Sequence, residues 1–204
     1  AIDLIKSGSP VIILDDRREF EGDLFCPAEL VELEVLKFMV RRGSGLLCLA
    51  MLQQRLDYLG IPRFSNIISP RLSKQELQVS LGTPFHLPVD YIGCSSGISL
   101  IDRLETIKRL MDPEAIGSWF VTPGHLPLLG AQAGGLDDRL GHTESVIDCC
   151  RLAGLYPAGI LCEIVDDDGS MVRGELLDEF AASNGLTIIS ITEIHQLKKS
   201  RKAN

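Results

Sequence analysis

The chain has 204 residues, 45% of them hydrophobic and 24% charged, the proportions of an ordinary globular domain with room for one sizeable core. Its net charge of −8 excludes a nucleic-acid groove, which needs a basic surface, but a small phosphorylated ligand needs only one or two arginines. No apolar segment approaches about 18 residues, which excludes a membrane-spanning helix.

Near the N-terminus, Asp3 and Pro10 interrupt the apolar run that a signal peptide would need. The cysteines at 26, 48, 94, 149, 150 and 162 show no CxxC and no zinc-type spacing, and most lie in apolar runs. Reduced thiols and a cytoplasmic location are expected, or a plastid one if a transit peptide has been removed.

Residues 11–14 (VIIL) form an apolar run that predicts a short buried strand. Residues 15–23 (DDRREFEGD) follow, with five carboxylates and two guanidiniums. A helix is disfavoured there, because Glu19 and Asp23 would repel at i,i+4 and Gly22 weakens it. Extended backbone would set Glu19, Glu21 and Asp23 on one side, about 7 Å apart, with Arg18 and Phe20 on the other. Such a comb suits a hard divalent cation or proton abstraction; a solvated acidic loop is the plain alternative.

Pro27 is expected to open a helix reaching about Val40, with Leu33, Leu36 or Lys37, and Val40 inward and Gly43 ending it. Residues 45–51 read as a second apolar strand and 53–59 as a short helix stopped by Gly60 and Pro62. Residues 63–83 have no period and read as an irregular loop. Residues 85–91 have strand character, and Ser99 caps a helix whose stripe is Ile101, Leu104, Ile107 and Met111. From 121 to 141, Gly and Pro leave little room for regular structure. Residues 143–153 predict a helix with Val146, Cys150 and Ala153 inward, and 158–165 (AGILCEIV) a buried strand. Asp166-Asp167-Asp168-Gly169 reads as a turn, lacking the Glu of a calcium loop. Residues 175–184 form an amphipathic helix with Leu176, Leu177, Phe180 and Ala181 on one face. A last strand at 187–191 and a helix at 192–198 close the chain. Alternating helices and apolar strands imply one layered α/β domain over residues 1–204, with a mixed sheet.

Several of these residues could carry chemistry. Arg139-Leu140-Gly141-His142-Thr143-Glu144 stands at a helix mouth. Thr143 would cap it, the free N–H groups behind Gly141 would bind an anion, and Arg139 would add a charged partner. His142 could ligate a metal or move a proton, or be surface decoration. His125, in Pro123-Gly124-His125, would be fixed by a tight turn. Glu163 lies in an apolar strand, where a bare carboxylate is costly unless paired; Arg151 or Arg173 could be structural partners. Residues 93–97 (GCSSG) match G-x-S-x-G, which would make Ser95 a nucleophile with Asp102, His125 or His142; a Gly- and Ser-rich helix start explains the same residues.

The segments REFEGD (18–23), RRGSGL (41–46), SSGIS (95–99), PGH (123–125), RLGHTE (139–144) and CEI (162–164) occur in that order. Together they closely resemble the 3,4-dihydroxy-2-butanone 4-phosphate synthase family of riboflavin biosynthesis, over nearly the whole chain. The resemblance implies a three-layer α/β (α+β) fold with a mixed twisted sheet and a homodimer with active sites at the subunit interface. It implies a lyase that converts D-ribulose 5-phosphate to 3,4-dihydroxy-2-butanone 4-phosphate and formate with Mg²⁺ or Mn²⁺. It assigns Glu19 and His142 to the metal, and His125 and Glu163 to acid/base work with Glu21 beside the metal. Arg18, Glu19, Asp23, Arg139, Leu140, Gly141, His142, Thr143 and Glu163 would contact substrate. Some relatives carry a C-terminal GTP cyclohydrolase II domain. Phe20 stands where the family usually has Asn, and Ser95-Ser96 where it has Thr-Thr. In an extended comb Phe20 would point away from the carboxylates, so activity is expected to survive. A catalytically silent sugar-phosphate-binding relative and a serine hydrolase using Ser95 are the alternatives.

Overall fold

The computed structural model describes residues 1–68 and 83–202. Among the described residues a seven-stranded sheet forms the middle layer, in the order β4-β5-β3-β6-β2-β1-β7. Its strands are β1 Val11–Leu14, β2 Gly22–Pro27, β3 Cys48–Leu52, β4 Phe85–Tyr91, β5 Phe120–Ala131, β6 Ala158–Glu163 and β7 Ile188–Ser190. The sheet is mixed: β3–β5 and β1–β7 are parallel, the other ladders antiparallel.

The central strands are apolar on both faces, because both faces are covered. Ile12, Leu24, Leu49 and Ile160 point into one core, against α2 (Leu33–Gly43), α3 (Gln53–Tyr58), α5 (Leu100–Met111) and α7 (Glu175–Asn184). Val11, Ile13, Phe25, Ala50 and Leu161 point into the other, against α1 (Ile2–Lys6), α6 (His142–Ala153) and α8 (Ile191–Lys202). Residues 64–68 form a short helix, α4 (Phe64–Ile68). The three layers are those the sequence implied.

Differences from the sequence reading have long-range causes. Pro27 ends a strand instead of opening a helix; a short 3₁₀ turn follows, and α2 starts at Leu33 with Leu36, Met39 and Gly43 buried. β2 is buried at every position between β1 and β6, so it shows no alternation to read. Residues 120–131 form a twelve-residue strand despite their Gly and Pro. The ladder accommodates them by skipping: Asp90 pairs with Val121 and Val89 with Leu126, so residues 122–125 bulge out. The irregular loop expected over 63–83 is helical at 64–68, and 69–82 lie outside the described residues. In α5 the buried row is Asp102, Thr106, Ile107 and Leu110, while Ile101 is 68% exposed. In α7, Leu177 and Ala181 are buried and Leu176 is exposed. All six cysteines are free thiols.

Candidate active site

The C-terminal end of β1, the start of β2, the end of β6 and the N-terminus of α6 meet at one end of the sheet. The acidic stretch is the β1–β2 connection. Asp15 is buried, and its Oδ1 accepts the N–H groups of Arg17 (2.9 Å) and Arg18 (3.1 Å), which curls the chain into a turn. The Asp15 N–H donates to the Glu21 carbonyl at 2.9 Å and closes it. Phe20 sits at φ 54°, in the left-handed region, so the period-two comb does not run through it. Arg18, Glu19, Glu21 and Asp23 nevertheless line a single pocket, the turn doing what extended backbone was expected to do. Phe20 is 56% exposed and outside that pocket.

Asp23 lies opposite Glu163 in the β2–β6 ladder, which places two carboxylates side by side. Burial, followed by the nearby Glu163, Glu19 and Glu21, pushes the Asp23 carboxyl up to about 6, against the opposing pull of His142. Glu163 Oε2 accepts the Leu46 N–H at 2.7 Å. Gly45 leaves the space for it: a Cβ there would lie 2.8 Å from both Glu163 Cβ and Oε2. Neither cation suggested as a structural partner takes Glu163. Arg151 is beside Asp148 and Arg173 pairs with Glu21. Among the described residues Glu163 has no ion pair, which leaves its carboxylate available to a ligand.

At the mouth of α6 the cap is Gly141, and Thr143 lies buried within the first turn instead of capping it. The N–H groups of the first turn have no intrahelical acceptor and face the pocket end of the helix. His142 Nε2 lies 3.1 Å from the Ile13 carbonyl. A carbonyl only accepts, so Nε2 carries a hydrogen, and in the neutral ring the lone pair is then on Nδ1, 3.9 Å from Asp23 Oδ2. This tautomer is the one a metal ligand needs, with a backbone acceptor fixing the ring from behind. Arg139 completes the mouth, its Nη1 2.6 Å from Glu144 Oε2.

Arg18, Glu19, Glu21, Asp23, Arg139, Leu140, Gly141, His142, Thr143 and Glu163 thus share one pocket, with Phe85, Leu129 and Leu161 among its apolar walls and the Cys48 thiol beside them. Asp15, Glu19, Glu21, Asp23 and Glu163 outnumber Arg18 and Arg139, an imbalance suited to a divalent cation. Among the described residues no three His, Cys, Asp or Glu side chains form a ready metal cage. Glu19 and His142 fit a cation that keeps water or substrate oxygens in its remaining positions, as Mg²⁺ does.

His125 is not in this pocket, nor in a tight turn; it sits in the bulge of β5, 45% exposed. Its N–H donates to Asp90 Oδ1 at 2.9 Å and its Nδ1 lies 2.7 Å from Asp90 Oδ2. Asp90 carries the same sequence signal as Glu163, a carboxylate in an apolar strand. Ser95 is no elbow nucleophile. Its Oγ donates to Asp102 at 3.1 Å, and among the described residues no imidazole is bonded to it. Burial alone would raise the Asp102 carboxyl, but donors from Ser96, Ser99 and Ser95 hold it at about 2. The GCSSG segment is a collar around a structural carboxylate.

The family model described as 3,4-dihydroxy-2-butanone 4-phosphate synthase matches residues 1–197. The riboflavin biosynthesis protein RibBA of Endomicrobium trichonymphae is 43% identical over 95% of this chain and 46% of its own length. The 3,4-dihydroxy-2-butanone 4-phosphate synthase of Agrobacterium fabrum is 39% identical over 95% of this chain and 88% of its own. A crystal structure of a 3,4-dihydroxy-2-butanone 4-phosphate synthase in complex with two magnesium ions superposes with a TM-score of 0.83. It is 35% identical, over 98% of this chain and 95% of that one. The chain spans about half the length of the RibBA relatives it matches. No helix among the described residues is long and apolar enough to cross a membrane.

Proposed function

The chain belongs to the 3,4-dihydroxy-2-butanone 4-phosphate synthase family, and on that premise we propose that it converts D-ribulose 5-phosphate to 3,4-dihydroxy-2-butanone 4-phosphate and formate with Mg²⁺ or Mn²⁺. The observation that carries this reading is the convergence of the acidic β1–β2 turn, Glu163 and the α6 mouth on one pocket.

Enolisation of a 2-ketose phosphate needs a base at a carbon-bound hydrogen, and Glu163, which has no ion pair among the described residues, can be that base. Asp23 faces it across the ladder and can hold a sugar hydroxyl between the two carboxylates. Arg139 and the first N–H groups of α6 hold the phosphate, distant in role from the acidic turn. Arg18 adds a second cation at the wall. Glu19 and His142 would hold the divalent cation, which when bound would supply positive charge near the sugar oxygens. Phe85, Leu129 and Leu161 give the pocket an apolar wall beside that charge.

The acid/base partner His125 belongs to this scheme through a homodimer. It is exposed at the β4–β5 side, and Ile92, Ile98, Ile101 and Val121, all exposed, lie on neighbouring segments. A second copy docked there would bring one His125 to the pocket of the other chain. The Phe20 side chain, the motive for a silent relative, is outside the pocket and does not favour that reading. Incubation with ribulose 5-phosphate and Mg²⁺ should release formate. A folded dimer that releases none, with Mg²⁺ or Mn²⁺, overturns the proposal.

A further inference from the structure

Glu144 follows the phosphate-binding segment and has no part in the chemistry above, yet its side chain is fully buried. Burial raises its carboxyl, and a buried ionised carboxylate is costly unless charge and hydrogen bonds answer it. The groups that answer it are the Gln132 N–H, 3.4 Å from Oε1, and Arg139 Nη1, 2.6 Å from Oε2. Arg139 is itself 32% exposed and lines the pocket.

The guanidinium is restrained on a second side. A Cβ at Gly141 would lie 3.0 Å from Arg139 Nη1 and 3.2 Å from Cζ, so the planar group rests close over the Gly141 backbone. One nitrogen is thus held by carboxylate and one face by glycine. Among the described residues Nε and Nη2 make no hydrogen bond. A flexible arginine held in this way keeps a fixed donor edge toward the pocket. We propose that Glu144 is a positioning residue for anion recognition: its buried carboxylate clamps Arg139 so that the free guanidinium edge meets the substrate phosphate. The inference rests on the proposed role of Arg139 in phosphate binding and adds what sets that role.

The test is calorimetric titration of the full chain with inorganic phosphate, which needs no turnover. Glu144→Gln keeps the shape and loses the charge; phosphate affinity should fall about tenfold, the scale of one charge-assisted hydrogen bond. Arg139→Ala should weaken binding at least as much. Adding Glu144→Gln to Arg139→Ala should cost nothing further, since the clamp then has nothing to hold. In turnover, Glu144→Gln should raise KM for ribulose 5-phosphate more than it lowers kcat, whereas a merely structural role would reduce the active fraction and so kcat. Glu144→Asp, which keeps the charge but shortens the arm, serves the same readings if the Gln variant fails to fold. If Arg139→Ala weakens phosphate binding and Glu144→Gln does not, the clamp is wrong and the Arg139 reading stands. If Arg139→Ala leaves binding unchanged, both fall.

Discussion

Asp23 and Glu163 are register partners across the β2–β6 ladder, two carboxylates held side by side at the end of a buried sheet. Like charges directly opposite each other destabilise a ladder, so this pair opposes folding, a cost that the proposed base role of Glu163 would explain. Glu163→Gln should therefore raise the stability of the metal-free protein by about 0.2–1 kcal/mol. Its amide oxygen can still accept the Leu46 N–H. Formate release should fall by about 10²–10⁴-fold, the scale of a lost general base. Thermal unfolding in EDTA and a formate assay on the same preparation check both halves. A variant that is both less stable and fully active would show Glu163 to be structural.

Asp102 is held at about 2 by the Ser95–Gly97 collar, below its ordinary 3.8. A carboxyl depressed on folding adds stability that is fully present above its unfolded pKa and is lost as pH falls through the folded one. Its contribution should thus vanish between about pH 4 and pH 2. Asp102→Asn, which cannot accept from all its donors, should be less stable than wild type at pH 7. The gap should narrow steadily below pH 4 in urea titrations. A gap of constant size from pH 5 to pH 2 would show that the collar does not depend on the charge.

The parts of the site legible in sequence are those with local signals. The acidic run after VIIL, the Gly-His-Thr helix mouth and the carboxylate inside AGILCEIV each announce an exception to local pattern. What was not legible depends on pairing between distant segments. β2 is a strand because β1 and β6 flank it, and β5 tolerates Pro123 and Gly124 because β4 lets them bulge. The same holds for side chains: Gly45 matters only because Glu163 packs on it, and Asp90 only because it holds His125. Ser99 was read correctly as a cap, yet the burial of Asp102 rotated the helix stripe away from Ile101.

Phe20 occupies a left-handed position with its side chain largely in solvent. A bulky residue is strained there, and Asn tolerates it better. Phe20→Asn should stabilise the protein by about 1 kcal/mol, raising Tm by roughly 2–4 °C for a chain of this size. Formate release should persist, because the side chain lies outside the pocket. Calorimetric scans of the two proteins decide it, and a lowered Tm would mean that Phe20 packs against something that covers it in solution.

Lys198 on α8 reaches Asp148 at 2.9 Å and Asp137 at 3.1 Å, with both Lys198 and Asp148 largely buried. Asp148 also accepts the Leu136 N–H at 2.8 Å, so the closing helix steadies the turn that leads into Arg139. Lys198→Met leaves the buried Asp148 carboxylate with Arg151, 3.7 Å away, as its remaining cation, at a cost of about 1–3 kcal/mol. Lys198→Met with Asp148→Asn should cost less than Lys198→Met alone. Urea unfolding of both variants measures the difference, and equal losses would mean that the pair is not coupled.

His125 lies outside the pocket that holds Glu163, and the proposed homodimer places one chain's imidazole in the other chain's site. His125→Ala and Glu163→Gln should each be inactive alone. Co-refolded in equal amounts, they give heterodimers in which one site combines an intact Glu163 with an intact His125 from the other chain, and the second site lacks both. With C₂ pairing at random, half the dimers are mixed and one of their two sites is whole, so activity should return to about a quarter of wild type. If His125 instead reached the pocket of its own chain, every site in every mixture would carry one of the two substitutions. Mixing would then restore nothing, and that outcome would remove the dimer from the mechanism.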